Sequence, residues 1–262
     1  MTHMRLLMVF ALALLAPIIA QAAEPGCSPD MAQFKPRIMQ AALGEKELRL
    51  TFVGHASFLI ETPQNVRAVT DYNDYVRANL TPDIATMNKA HSTHFSQNPQ
   101  SGIRHLLPGW NVAGGKIEHD LTLRDLRVRN VVTNIRNWGG GATEYDGNSI
   151  FIFELDDLCI VHLGHLHHTL EQGHIRAIGR ADIVLVPVDS GFTMDIEGMM
   201  DVLASLSPRV VIPMHFFGQR TLEKFIDLGS KTYAIDRRFE PTVVFSRDKL
   251  PEKPTMVVLP GR

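Results

Sequence analysis

The sequence predicts an α/β protein in which two packed β-sheets are flanked by helices. Three observations predict it. Short β-rich runs come in two batches separated by turn clusters, and segments of helical periodicity fall between and after them. The composition, 45% hydrophobic and 21% charged, suits a chain that buries a large core and excludes a mainly disordered one.

Taken in order, the runs at residues 49–53, 57–61 and 66–71 are closely spaced and read as hairpin-linked strands. Further strands are expected at 83–87, 126–133, 149–155, 158–163, 182–188, 210–214, 242–246 and 256–259. Helices are expected at 31–42, 169–178, 196–206 and 222–228, with Asp195 as N-cap of the third and Pro208 as the stop beyond it. No internal repeat or low-complexity tract interrupts this order, so residues 46–262 read as one domain preceded by a segment at 23–45.

The opening segment is of another kind. Arg5 is followed by an apolar run over residues 6–20 and by the small residues of Ala20-Gln21-Ala22. Residues 1–22 therefore read as a signal peptide, and the mature protein is expected to be periplasmic or secreted, without stable membrane insertion after cleavage. An uncleaved anchor is the alternative, against which the shortness of the run argues. Glu24 stands where a lipidation site at Cys27 would have an aliphatic residue. Cys27 and Cys159 would be able to pair in an oxidising compartment, but the apolar run around Cys159 favours a buried free thiol. A net charge of −2 and a pI near 6.6 exclude a polybasic nucleic-acid binder.

The one compositional excess is histidine, with 12 residues. Most gather where strands end: Lys89-Ala90-His91-Ser92-Thr93-His94 after one, His162-Leu163-Gly164-His165-Leu166-His167-His168 after another, and His215 after Val210-Val211-Ile212-Pro213-Met214. Strand ends are where α/β folds assemble ligand sites, and converging imidazoles suit a transition-metal ion. No closely spaced Met-x-Met cluster points to copper.

These motifs resemble those of the metallo-β-lactamase superfamily, and most closely its ascorbate-6-phosphate lactonase-like branch. The similarity runs through Phe52-Val53-Gly54-His55-Ala56-Ser57-Phe58-Leu59-Ile60-Glu61, Asp71, Asn148-Ser149-Ile150-Phe151, Asp182-Ile183-Val184-Leu185-Val186-Pro187 and Pro213-Met214-His215. It implies an αββα sandwich of two mixed β-sheets with a metal site at one edge. It also exposes departures. The four ligand positions of the family's His-x-His-x-Asp-His motif hold Lys89, His91, Thr93 and His94. Asn134 is the nearest counterpart of a lost histidine, and His165 stands where the family has its bridging Asp.

By this resemblance one divalent ion, zinc or manganese, is expected on His94, His165 and His215, with His91 as an optional fourth ligand. The expected function is hydrolysis of a small ester, lactone or phosphoester by a metal-bound hydroxide. Lys89, beside the ion, is expected to neutralise an anionic substrate or the oxyanion formed in attack, and Thr93 to hydrogen-bond the water or merely to pack. Arg136, in a bidentate grip, with Asn134 and His55 is expected to contact the substrate, His55 being either a rim residue or one packed under a turn. His162 and His168 are expected to support the ligands, and His167, His105, His119 and His174 to be solvated. A non-catalytic binding protein, metal-free or ligand-binding, on the same fold is the alternative.

Overall fold

The computed structural model describes residues 41–136 and 142–261. The expected signal peptide, Cys27 and most of the helix expected at 31–42 lie outside them. The first sheet is built from β1 (Leu48–Gly54), β2 (Ser57–Glu61), β3 (Arg67–Val69), β4 (Ile84–Met87) and β5 (His105–Pro108). The second begins with β6 (Asp120–Leu123), β7 (Leu126–Ile135), β8 (Glu144–Leu155) and β9 (Leu158–His162). Then α1 (Gln172–Ile178), β10 (Ile183–Pro187), α2 (Ile196–Leu206), β11 (Val210–Met214) and α3 (Gln219–Gly229) alternate. β12 (Ala234–Arg237), β13 (Thr242–Phe245) and β14 (Thr255–Val258) complete the order.

The first sheet runs β13-β1-β2-β3-β4-β5 and the second β12-β14-β11-β10-β9-β8-β7-β6. Both are mixed. β3, β4 and β5 are parallel, as are β9, β10, β11, β14 and β12, while the hairpin-linked pairs are antiparallel. Side chains alternate across a strand, so the inner strands of the second sheet serve two cores. Phe151, Phe153, Ile183 and Leu185 meet Leu50, Phe52, Phe58 and Ile60 of the first sheet. Ile150, Ile152, Val184 and Val186 face Met199, Val202 and Leu203 of α2 and Phe225 of α3. Leu59, Val69, Tyr72 and Met87 on the other side of the first sheet pack with Phe95 and Trp110 of the loops there.

This is the expected sandwich of two mixed sheets, with few helices. Asp195 caps α2 as expected, its Oδ1 accepting from the Gly198 N–H at 2.7 Å. β5, β6 and β12 were not anticipated. They are four-residue edge strands with half-exposed or exposed positions, so they lack the apolar run that marks a buried strand. Cys159 on β9 is half-buried rather than buried, and burial pushes its thiol upward. Among the described residues no helix is long and apolar enough to cross a membrane.

Candidate metal centre

One edge of the paired sheets collects the ends of the strands that carry the histidines. His55 occupies the β1–β2 turn, Asp71 follows β3, His91 and His94 follow β4, His165 and His167 follow β9, Asp189 follows β10, and His215 follows β11. Three of these residues adopt left-handed backbone: His55 (φ 54°), Asp71 (φ 42°) and His215 (φ 53°). Such conformations are costly for residues other than Gly and gather at functional sites. The His215 N–H donates to the His55 carbonyl at 2.7 Å, tying the two sheets together at the site.

The imidazoles converge. One ring nitrogen each from His55, His91, His94 and His215 lie within 4.8 Å of one another. His165 stands beside this group of four, its Nε2 being 2.9 Å from Nε2 of His91. Each expected ligand is held from behind through Nδ1. His94 meets Asp71 Oδ2 at 2.5 Å, His215 meets Asp189 Oδ1 at 3.0 Å, His91 meets Thr93 Oγ1 at 2.7 Å and His165 meets His167 Nε2 at 2.8 Å. That is the usual support for metal-binding histidine: the back nitrogen donates its proton and the front nitrogen keeps its lone pair.

The consequence is testable on the geometry itself. With Nδ1–H donated to Asp71 and Asp189, the Nε2 lone pairs of His94 and His215 face each other at 3.0 Å. Two facing lone pairs repel unless a proton or a cation lies between or beside them. Donors on one tetrahedral zinc stand about 3.3 Å apart, given Zn–N of about 2.0–2.1 Å. The residues present therefore fit a bound ion. Burial and the neighbouring His215 hold His94 well below its ordinary pKa, and burial also lowers His165 and His91, so neutral donors are on offer at physiological pH. Burial alone would raise the Asp189 carboxyl, but its bonds to His215 and Thr193 hold it below the usual carboxylate range.

The remaining expected residues fall in several places. Thr93 bridges two rings, its hydroxyl 2.9 Å from His55 Nε2 as well as 2.7 Å from His91 Nδ1. His55 thus lies inside the imidazole group, and burial lowers its pKa to about 3. Lys89 is exposed, and its ammonium pairs with Glu144 Oε1. Asn134 Oδ1 accepts from the Asp146 N–H, inside the β7–β8 hairpin. Arg136 is exposed and donates through Nη2 to the carbonyls of Thr193 and Gly191. His162 is wholly buried and bonds Ala56 O, which places it in the core beneath the site. His168 Nε2 accepts the Asn134 N–H. His167 was expected in solvent, but it is 7% exposed and backs His165, because the chain turns inward after β9.

Four residues at the site escaped the sequence reading. Asp189 follows Pro187-Val188 at a strand end, a position that would have singled it out as an acid beside the site. Asn88 joins the sheets, donating to Asp71 Oδ1 and accepting the Ser149 N–H. Phe192 and Phe217 had no signal at all; they wall a pocket of about 400 Å³ in front of His91 and His165.

A sandwich of two mixed sheets with a multi-histidine centre at the strand ends defines a metallo-β-lactamase-type protein. Residues 49–215 match the Beta-lactamase superfamily domain, and the chain belongs to that family. It is similar to a UPF0173 metal-dependent hydrolase of Archaeoglobus fulgidus, with 24% identity over 64% of this chain and 83% of that protein. It is also similar to a metal-dependent hydrolase of Opitutus terrae, with 27% identity over 64% and 85%. Among solved structures, a metallo-β-lactamase superfamily protein from Thermotoga maritima superposes with a TM-score of 0.58 at 23% identity, over 82% of this chain and 100% of that one. A metallo-hydrolase of Ignicoccus hospitalis gives 0.54 at 20%, over 76% and 99%. These two likenesses bear on the fold.

Proposed function

We propose that this protein is a metal-dependent hydrolase of a small ester, lactone or phosphoester. One divalent ion, zinc or manganese, is held by His94, His165 and His215, with His91 as a fourth donor on the pocket side. The Nε2 atoms of His94 and His215, 3.0 Å apart with Nδ1 of each ring on a buried Asp, are the observation that carries this reading. When bound, such an ion lowers the pKa of water and polarises a carbonyl or phosphoryl oxygen.

The chain's own residues supply the rest. Asp71 and Asp189 fix the tautomer and orientation of two ligands. His167 does the same for His165 as a neutral acceptor, its pKa lowered to about 4 by burial and by Arg136. Thr93 links His91 to His55, so a proton at one ring is relayed to the other through a single hydroxyl. Half-buried His91 faces the pocket and is the ligand best placed to yield its position to a substrate. Export belongs to the same proposal, on the strength of the leader-like residues 1–22.

The test is metal analysis joined to turnover. Protein loaded with Zn²⁺ or Mn²⁺ and dialysed should retain one ion per chain and hydrolyse members of a panel of esters, lactones and phosphodiesters. Chelation should abolish turnover and the ion should restore it, while His215→Ala should lose both with its circular dichroism unchanged. Turnover without metal, or full metal loading with no turnover on any class, would overturn the reading, the latter in favour of a binding protein.

A further inference from the structure

The approach to the imidazole group has a composition of its own. The pocket is walled by Ala90, Ile135, Phe192 and Phe217, and among its described lining residues there is no Lys, Arg, Asp or Glu. Phe192 follows β10 and Phe217 follows β11, the strands whose ends also bear Asp189 and His215. The two rings meet edge to face with centroids 5.5 Å apart. Phe217 also stands 5.3 Å from the His55 ring and 5.4 Å from His215, and Phe192 stands 6.1 Å from His91. Both phenylalanines are more than half exposed, at 54% and 64%, so neither contributes its full surface to the core. An apolar pair left open to water beside a reactive centre is a surface that gains by receiving an apolar ligand group.

The nearest cations are engaged elsewhere. Lys89 pairs with Glu144. Arg136 donates to the Thr193 carbonyl at 3.2 Å and to the Gly191 carbonyl at 3.5 Å, on either side of Phe192, and so braces one wall of the pocket. An anionic arm seated against Ile135, Phe192 and Phe217 would give up its hydration with no cationic side chain among the described lining residues, which leaves only the ion at the imidazoles to compensate it.

We infer that the site takes an uncharged ester or lactone whose apolar arm, an aromatic ring or short alkyl chain, seats on the exposed surface of the Phe192–Phe217 pair and against Ile135. This rests on the hydrolase reading and narrows its substrate class. Water adds across the acyl C–O bond: the acyl carbon gains the oxygen, the alcohol oxygen leaves with a proton, and the acid product ionises.

The test compares zinc-loaded full-length protein on methyl acetate, methyl hexanoate, methyl phenylacetate and benzyl acetate, with monomethyl succinate and a phosphodiester as anionic counterparts. Turnover is followed by acid release, and for the phosphodiester by product chromatography. One of the apolar-armed neutral esters should exceed methyl acetate in kcat/KM by at least about tenfold, the scale of discrimination a hydrophobic pocket provides. Phe192→Ala and Phe217→Ala should collapse that ratio, and the anionic substrates should rank below the neutral ones. A second arm measures binding by calorimetry: phenylacetamide should bind at least about tenfold tighter than acetamide, and the double Phe variant should erase the difference. Preference for the phosphodiester or the succinate overturns the inference while leaving the hydrolase reading intact. If no substrate turns over, the binding arm alone decides, and equal affinity for the two amides overturns it.

Discussion

Asp189 holds two things with one carboxylate. Oδ1 accepts from His215 Nδ1–H and Thr193 Oγ1, while Oδ2 accepts the backbone N–H groups of Gly191, Phe192 and Thr193. The orientation of a proposed ligand and the wall that carries Phe192 therefore share a single support. Asp189→Asn keeps the shape but must either turn an amide N–H₂ toward His215 Nδ1–H or present it to the backbone donors. We expect metal affinity to fall about 10- to 100-fold, the usual consequence of removing such a support. Competition with a metal-binding dye measures it, and unchanged affinity would show that His215 does not hold the ion. Lys89 provides the contrast. Its pair with Glu144 is exposed at both ends, so Lys89→Met should change stability by less than about 1 kcal/mol and leave metal content as it was. Weaker binding of an anionic substrate in that variant would show instead that the ammonium leaves Glu144 for the site. The histidines at 91, 94, 165 and 215 were legible because three separate strand ends all finished in this one residue type. Burial of His167 was not, because no local signal tells an inward turn from an outward one.

At the scale of elements, the centre depends on how closely β4, β8 and the loop after β9 approach. Gly164 marks that approach. Its φ is 60°, and a Cβ there would lie 2.5 Å from Asn88 Nδ2 and 2.9 Å from the Ser149 carbonyl. Gly164→Ala should therefore destabilise the protein by about 2 kcal/mol or more, through backbone strain and the clash together. The displacement also falls between Asn148, which accepts the His165 N–H, and Asn88, which holds Asp71, so metal retention should suffer with stability. Denaturant unfolding and metal analysis on the same preparation check both, and a stable variant with full metal would show that the loop has slack. The strands feeding this junction were readable from their apolar runs. The junction was not: Asn148 and Ser149 stood out only through the family resemblance, and Asn88 is an ordinary polar residue until the sheets are packed.

For the molecule as a whole, the concentration of imidazoles makes stability depend on pH. Burial lowers the pKa of His55 to about 3 and of His167 to about 4, and also lowers His91, His94, His162 and His165. An unfolded chain takes up protons at these residues as pH falls through about 6.5, while the folded chain does not. The stabilisation is thus complete above about pH 6.5 and declines below it, down to the folded values near 4 and 3 for His167 and His55. Each histidine that stays neutral only when folded removes about 1.4 kcal/mol per pH unit over that range. We expect chelated protein to lose denaturant resistance steeply between pH 6.5 and 4, with its midpoint rising again on return to pH 7. A flat profile would mean that the rings are solvated in the metal-free protein.

Sequence alone was enough to determine the two-sheet α/β class, the bounds of β2, α2 and β11, the N-cap at Asp195 and the gathering of His91, His94 and His215, because each of these is written in local periodicity or in residue type at a strand end; that His55 joins them was not. Tertiary structure decided which groups stand behind those histidines, that Lys89 and Arg136 turn to Glu144 and to the Gly191–Thr193 backbone, and that Phe192 and Phe217 wall the pocket. The physical reason is range. A strand or helix is specified by neighbours a few residues apart, whereas Asp71 meets His94 across 23 residues, Asp189 meets His215 across 26, and His94 meets His215 across 121. The first two exist only once distant strands have paired within each sheet, and the third only once both sheets have packed on their shared core.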